Sequence, residues 1–203
     1  MRADACTKIK LYNKIMYDTI LTDYFGVIDS SRYDSWLARH GYTRSGEFAD
    51  LSNLTDEGRI SMQQFFDGLG RLSGLSSDSI KNDFDEHAAI NVELLELLKS
   101  LKGKYKIVLV SNASGHYLRE ILKRYNLEPI FDEIIISGEI GIIKPNREIF
   151  DYALDRAGTT AEKAIFIDDH EFNTVPAEGY GIKAVLYRGM GPLRAELKKL
   201  GVL

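Results

Sequence analysis

The chain has a single cysteine, Cys6, among its 203 residues. No intrachain disulfide is possible, and a reducing cytoplasm is the compartment this composition predicts. Nothing around Cys6 marks it as a reactive thiol. No apolar run approaches the roughly 20 residues that cross a bilayer, and the lysines scattered through the opening segment interrupt any signal-peptide core. An excess of positive charge is also lacking: the net charge is −4, with no basic stripe interleaved with aromatics, so neither nucleic acid nor an anionic membrane is an expected partner. Repeats and low-complexity segments are absent. The histidines His40, His87, His116 and His170 lie too far apart to form a metal-binding pattern; the first three sit in surface-like contexts, and His170 starts a helix beside an acidic pair.

A hydrophobic fraction of 44% is enough for one main domain with a modest insertion. The apolar residues of 1–16 fit neither helical nor strand periodicity, which leaves an extra element or a loose leader. Between about Ser30 and His87 the pattern is helical: Tyr33, Trp36 and Leu37 mark one face, and Ile60, Phe65, Phe66, Leu69 and Leu72 another. Ser61 and Gln64 form a capping box, and Gly74 ends a helix before Ser76-Ser77-Asp78 starts the next. From Asn91 onward helices and strands alternate. An Asn-capped leucine helix stopping at Gly103 is followed by a strand over 105–110, a helix over 115–125 and a strand near 134–136. A helix over 147–157, a strand over 164–167, a helix from about Phe172 and a strand over 184–187 complete the series. This alternation predicts an α/β fold with a doubly wound parallel sheet. The acidic group Asp83, Asp85 and Glu86 and the basic group Arg194, Lys198 and Lys199 read as exposed helix faces.

The most informative residues are Asp168 and Asp169, which follow the apolar run Ala164-Ile165-Phe166-Ile167. Adjacent carboxylates at the end of a buried strand repel one another unless a cation joins them. Hard divalent cations prefer oxygen ligands, and Mg²⁺ is the expected one. Three further clusters occupy comparable places: Thr19-Ile20-Leu21-Thr22 runs into Asp23-Tyr24-Phe25-Gly26-Val27, Ile107 to Val110 runs into Ser111-Asn112-Ala113-Ser114, and Gly141-Ile142-Ile143-Lys144-Pro145 sets a lysine in a loop. In an open parallel sheet the ligand crevice lies beyond the carboxyl ends of the strands, where these groups would converge.

With these clusters in this order, the chain from about Thr19 to Tyr187 resembles the haloacid dehalogenase superfamily, in the branch with a helical cap inserted after the first strand. The resemblance implies a Rossmann-like core over 1–29 and 88–203 and a small helical-bundle cap over 30–87. The segment Glu57-Gly58-Arg59-Ile60-Ser61 is similar to caps of small bacterial sugar-phosphate phosphatases. Carried over position by position, the resemblance makes Asp23 the nucleophile that forms an aspartyl-phosphate. It gives Ser111 and Lys144 catalytic and phosphate-binding roles, with the amides of Asn112 and Ala113 at the phosphate. It implies that Mg²⁺ is held by Asp23, the backbone carbonyl of Phe25 and Asp169, with Asp168 in an outer or water-mediated place. Asn173 is expected only to pack or cap its helix, and loss of Lys144 to cost catalysis more than folding.

One position departs from the pattern. The acid that phosphatases of this family carry two positions after the nucleophile is replaced by Phe25. That acid protonates the leaving oxygen and deprotonates water. Family members with a non-acidic residue there include working phosphatases, whereas the dehalogenases carry a tyrosine. Asp29, Asp34 and His40 are candidate substitutes, because they lie where the chain leaves the first strand. The resemblance thus points to a Mg²⁺-dependent phosphohydrolase acting on a small phosphorylated metabolite, such as a sugar phosphate, as a monomer or homodimer. A 2-haloacid dehalogenase-like enzyme and a catalytically silent binding protein are the rival readings.

Overall fold

The apolar run that ends in Asp168 forms a strand, and four other segments join it in one sheet. In chain order these are β1 (Thr19–Thr22), β2 (Lys106–Ser111), β3 (Glu133–Ile136), β4 (Ala164–Asp168) and β5 (Lys183–Leu186). They lie side by side in the order β3-β2-β1-β4-β5, every pair parallel, with Thr19 opposite both Lys106 and Ala164. The computed structural model describes residues 16–203; the stretch before Met16, Cys6 included, lies outside the described residues.

Ten helices accompany the sheet among the described residues: α1 (Arg32–Arg39), α2 (Glu47–Asp56), α3 (Met62–Ser73), α4 (Ser77–Glu86), α5 (Val92–Leu101), α6 (Gly115–Arg124), the single turn α7 (Ser137–Ile140), α8 (Arg147–Ala157), α9 (Glu171–Gly179) and α10 (Met190–Lys199). Because both faces of the sheet are covered, the middles of its strands are continuous apolar runs, as in Ile107 to Val110 and Ala164 to Ile167, rather than alternating ones. On β2, Ile107 and Leu109 pack with Leu94, Leu98 and Leu118 of α5 and α6. Val108 and Val110 point the other way, to Ile149, Phe150 and Ala153 of α8. The sheet is therefore doubly wound, as the alternation of elements predicts.

Helices α1 to α4 occupy the connection between β1 and α5 and have an apolar cluster of their own, built from Tyr33, Trp36, Leu37, Phe65, Phe66, Leu69, Ile80 and Phe84. The expected signals operate. Ser61 and Gln64 exchange both capping-box bonds, and Gly74 closes α3 with a left-handed φ of 75°. Asn91 accepts from the Leu94 amide at 3.1 Å. Leu72, expected on the apolar face, does not join the buried cluster. The turn α7 has no counterpart in the sequence reading, because four residues cannot display a period. In α10 the basic residues cover only one side, and Leu193 and Leu197 on the other are buried against the core. No helix among the described residues is long and apolar enough to cross a membrane.

Candidate active site

Strands β2, β1 and β4 are neighbours, so their carboxyl ends bring Ser111, Asp23 and Asp168 together although they are far apart in sequence. Lys144 enters from the loop after α7. Its side chain is fully buried, with Nζ 2.9 Å from Asp23 Oδ2 and 2.7 Å from Asp168 Oδ2. The lysine backbone is gripped as well: its amide donates to Asn112 Oδ1 at 2.8 Å, and Asn112 Nδ2 donates to its carbonyl at 2.9 Å. The Asn112 side chain is thus a clamp on Lys144, a part the sequence did not reveal. The Ala113 amide, expected to be free for a phosphate, instead donates to Ser137 Oγ at 3.0 Å. The Ser111 hydroxyl is buried and has no partner among the described residues, which leaves a donor available.

Asp168 is the most heavily bonded of the three carboxylates at the strand ends. Besides Lys144 it accepts from the His170 amide at 2.8 Å and from Asn173 Nδ2 at 3.1 and 3.0 Å. Burial opposes its ionisation, but Lys144 and these donors outweigh that effect and hold its carboxyl below the usual range. Asn173 therefore does more than pack or cap its helix. Asp23 accepts from the Tyr24 amide at 2.7 Å, yet burial, reinforced by Asp168 and Asp169 and only partly offset by Lys144, pushes its carboxyl well above the usual range. Burial also raises Asp169, against the pull of His170. Its Oδ1 is buried without a partner among the described residues.

One oxygen from each of Asp23, Asp168 and Asp169 lies within 4.8 Å of the others, and the single buried lysine cannot neutralise all three. This donor set, with an orphaned oxygen on Asp169, fits a hard divalent cation. Room for Asp169 comes from Gly26: a Cβ there would stand 2.1 Å from Asp169 Oδ2, and its φ of 86° is itself unfavourable for any residue with a side chain. The Phe25 side chain brings an aromatic ring, with no proton to exchange, to the wall of the site. It packs edge-on to Tyr24, with centroids 5.0 Å apart, and stacks with Tyr117.

A cavity of about 560 Å³ opens from these groups toward the helical insertion, with Phe25, Tyr33, Phe65 and Tyr117 among its walls and Asp34 and Asp56 among its polar groups. The candidate substitute acids fare differently. Asp29 is buried and bound by Arg32 Nε at 3.1 Å and by the amides of Ser30 and Ala89 at 2.8 and 3.0 Å, which makes it a structural anchor. His40 stacks on Trp36 with centroids 4.8 Å apart, away from the cavity wall. Asp34 does line the cavity, but Arg44 engages both its oxygens at 2.9 and 3.2 Å. His170 lines the cavity too, its Nε2 3.6 Å from Asp169 Oδ2.

A family model described as haloacid dehalogenase-like hydrolase matches residues 47–187. The chain belongs to this family. Among its relatives, the pyrimidine 5'-nucleotidase YjjG of Escherichia coli (strain K12) is 41% identical over 64 residues, covering 32% of this chain and 28% of that protein's length. The (S)-2-haloacid dehalogenase 4A of Burkholderia cepacia is 26% identical over 167 residues, 77% of this chain and 71% of its own. Among solved structures, the magnesium complex of the HAD family enzyme BT-2542 from Bacteroides thetaiotaomicron superposes with a TM-score of 0.69 at 26% identity, covering 84% of this chain and 93% of that one. This haloacid dehalogenase-like hydrolase therefore has both phosphate-ester and haloacid enzymes among its relatives, and its own site must decide between them.

Proposed function

We propose that this hydrolase is a Mg²⁺-dependent phosphohydrolase of small phosphorylated metabolites. The observation that carries the reading is the unpartnered Asp169 oxygen beside Asp23 and Asp168. Displacement of halide by a carboxylate needs no metal, so a cluster that suits a divalent cation argues against a dehalogenase. Magnesium complexes of a structural relative point the same way. When bound, Mg²⁺ would be held by Asp23, Asp169 and the Phe25 carbonyl, with Asp168 in an outer place, and it would neutralise charge on the phosphoryl group.

In this reading an Asp23 oxygen attacks phosphorus, the bond to the leaving oxygen breaks, and an aspartyl-phosphate forms that water then hydrolyses. Lys144 offsets the charge that gathers between nucleophile and phosphoryl oxygens. The Ser111 hydroxyl donates to one of those oxygens. Residues 30–87 act as a cap over a core formed by 1–29 and 88–203, closing water out and selecting the substrate. A cavity of about 560 Å³ with aromatic walls suits a metabolite whose alcohol portion carries apolar or ring surface, in the cytoplasm where such esters are found.

Turnover of a phosphorylated-metabolite panel with and without Mg²⁺ tests this, together with mass-spectrometric trapping of one phosphoryl group on Asp23. Metal-independent release of halide from a 2-haloacid, with no phosphatase activity, would assign the dehalogenase reading instead.

A further inference from the structure

We infer that Asp56, at the end of α2 in the helical insertion, is the acid and base that Phe25 cannot be. The inference rests on the phosphohydrolase reading above. Asp56 lines the same cavity as Asp23 and Lys144, and it differs from every other acid near that wall in being uncommitted. Its one side-chain hydrogen bond among the described residues is a long one, accepted from Ser52 Oγ at 3.4 Å. Asp29 and Asp34, by contrast, are engaged by arginines. The three carboxylates at the strand ends are grouped at the reacting centre, where Lys144 binds two of them.

The place of Asp56 is fixed from the core side. Its carbonyl accepts from Ser137 Oγ, and the same hydroxyl accepts from the Ala113 amide at 3.0 Å, next to Asn112 and Ser111. Two residues further on, Gly58 meets Gly138 backbone to backbone so closely that a Cβ at Gly58 would stand 2.4 Å from the Gly138 carbonyl oxygen. The end of α2 is thus seated on the strand ends rather than carried only by the insertion. Burial raises the Asp56 carboxyl to about 6, with Arg44 and Lys144 pulling down and Asp34 pushing up. A carboxyl in that range can both give and take a proton at working pH.

The steps balance. As Asp23 forms its bond to phosphorus, the electron pair of the breaking P–O bond goes to the leaving oxygen, which takes the proton of Asp56 and departs as an alcohol. The Asp56 carboxylate then takes a proton from water as the water oxygen attacks phosphorus. The P–O bond to Asp23 breaks, inorganic phosphate leaves, and both side chains return to their starting forms.

Asp56→Asn, assayed with Mg²⁺ on esters ranging from nitrophenyl to alkyl phosphates, separates this role from a structural one. Alkyl esters should lose roughly 10²–10⁴-fold in kcat, the usual share of a positioned acid or base. Nitrophenyl phosphate, whose leaving group departs unaided, should instead give a burst of one equivalent of nitrophenol, with phosphorylated Asp23 accumulating in the mass spectrum. Asp56→Glu should restore turnover in part and abolish the burst. Should the asparagine variant not fold, the wild-type pH profile decides: kcat/KM for alkyl esters should fall as pH rises through about 6, and no such limb would overturn the assignment. Equal losses on all esters without a burst, or no loss, would overturn it while leaving the phosphohydrolase reading intact. A wild-type protein inert to every phosphate ester would overturn both.

Discussion

Lys144 is a buried counter-charge, whatever else it does in the proposed reaction. With 1% of its surface exposed and a carboxylate on either side, its removal leaves Asp23 and Asp168 facing each other unpaired. Breaking a buried pair costs about 3–5 kcal/mol, so Lys144→Met should lower the melting temperature sharply as well as abolish turnover. This revises the expectation that the lysine matters more for catalysis than for folding. Added Mg²⁺ should recover part of the loss in thermal denaturation, because another cation then joins the carboxylates. Asp23 gives the converse effect. Its carboxyl holds a proton more tightly folded than unfolded, so the associated stability is complete below the ordinary carboxylate range and is lost as pH rises through the raised folded value. In chelator on the alkaline side, Asp23→Asn should therefore melt above wild type by at least 2–4 °C, about the shift that 1 kcal/mol makes in a chain of this size. The same variant should show no hydrolysis. Asp23, Ser111, Lys144 and the Asp168-Asp169 pair were legible because each interrupts or ends an apolar run. Asn173 and Asp56 were not, because what distinguishes them is a partner or a cavity brought to them by folding.

The turn after β1 sets the geometry of the acidic cluster. Gly26 lies in left-handed conformation with Asp169 where its side chain would be. Gly26→Ala should displace that carboxylate and weaken Mg²⁺ binding by an order of magnitude or more in calorimetric titration, and unchanged affinity would put the metal elsewhere. Ser61→Ala at the start of α3 makes a useful contrast. It removes a capping-box bond and should cost about 1 kcal/mol of stability, with metal affinity untouched. The long elements were readable in the sequence because burial on both faces leaves continuous apolar strands and the helices keep their period. The turn α7 was not, and it is the element whose Ser137 joins the Asp56 carbonyl to the Ala113 amide.

At the scale of the whole molecule, the insertion and the sheet meet where Gly58 touches Gly138. Gly58→Ala should wedge this joint apart, lower kcat and speed proteolysis within residues 40–90; turnover and cleavage rates like those of wild type would show that the joint is not needed. That the chain forms an α/β core with a helical insertion could be read from its alternation of patterns. Which surfaces of the two parts face each other could not, since contacts between Gly58 and Gly138 or Arg32 and Tyr117 join segments with no common periodicity.

The strand that leads to Asp23 is synthesised first among the five, yet it occupies the centre of the sheet. Thr22 pairs with Leu109 on one side and with Ile167 on the other. During translation, therefore, β1 emerges with no neighbour and waits until nearly the whole chain has followed before its second edge can be covered. At ribosomal speeds of about 5–20 residues per second, that interval is on the order of ten seconds. Throughout it at least one edge of the strand stays bare, open to chaperones or to pairing with another nascent chain. The residue that would begin the chemistry is thus among the last to be set in place.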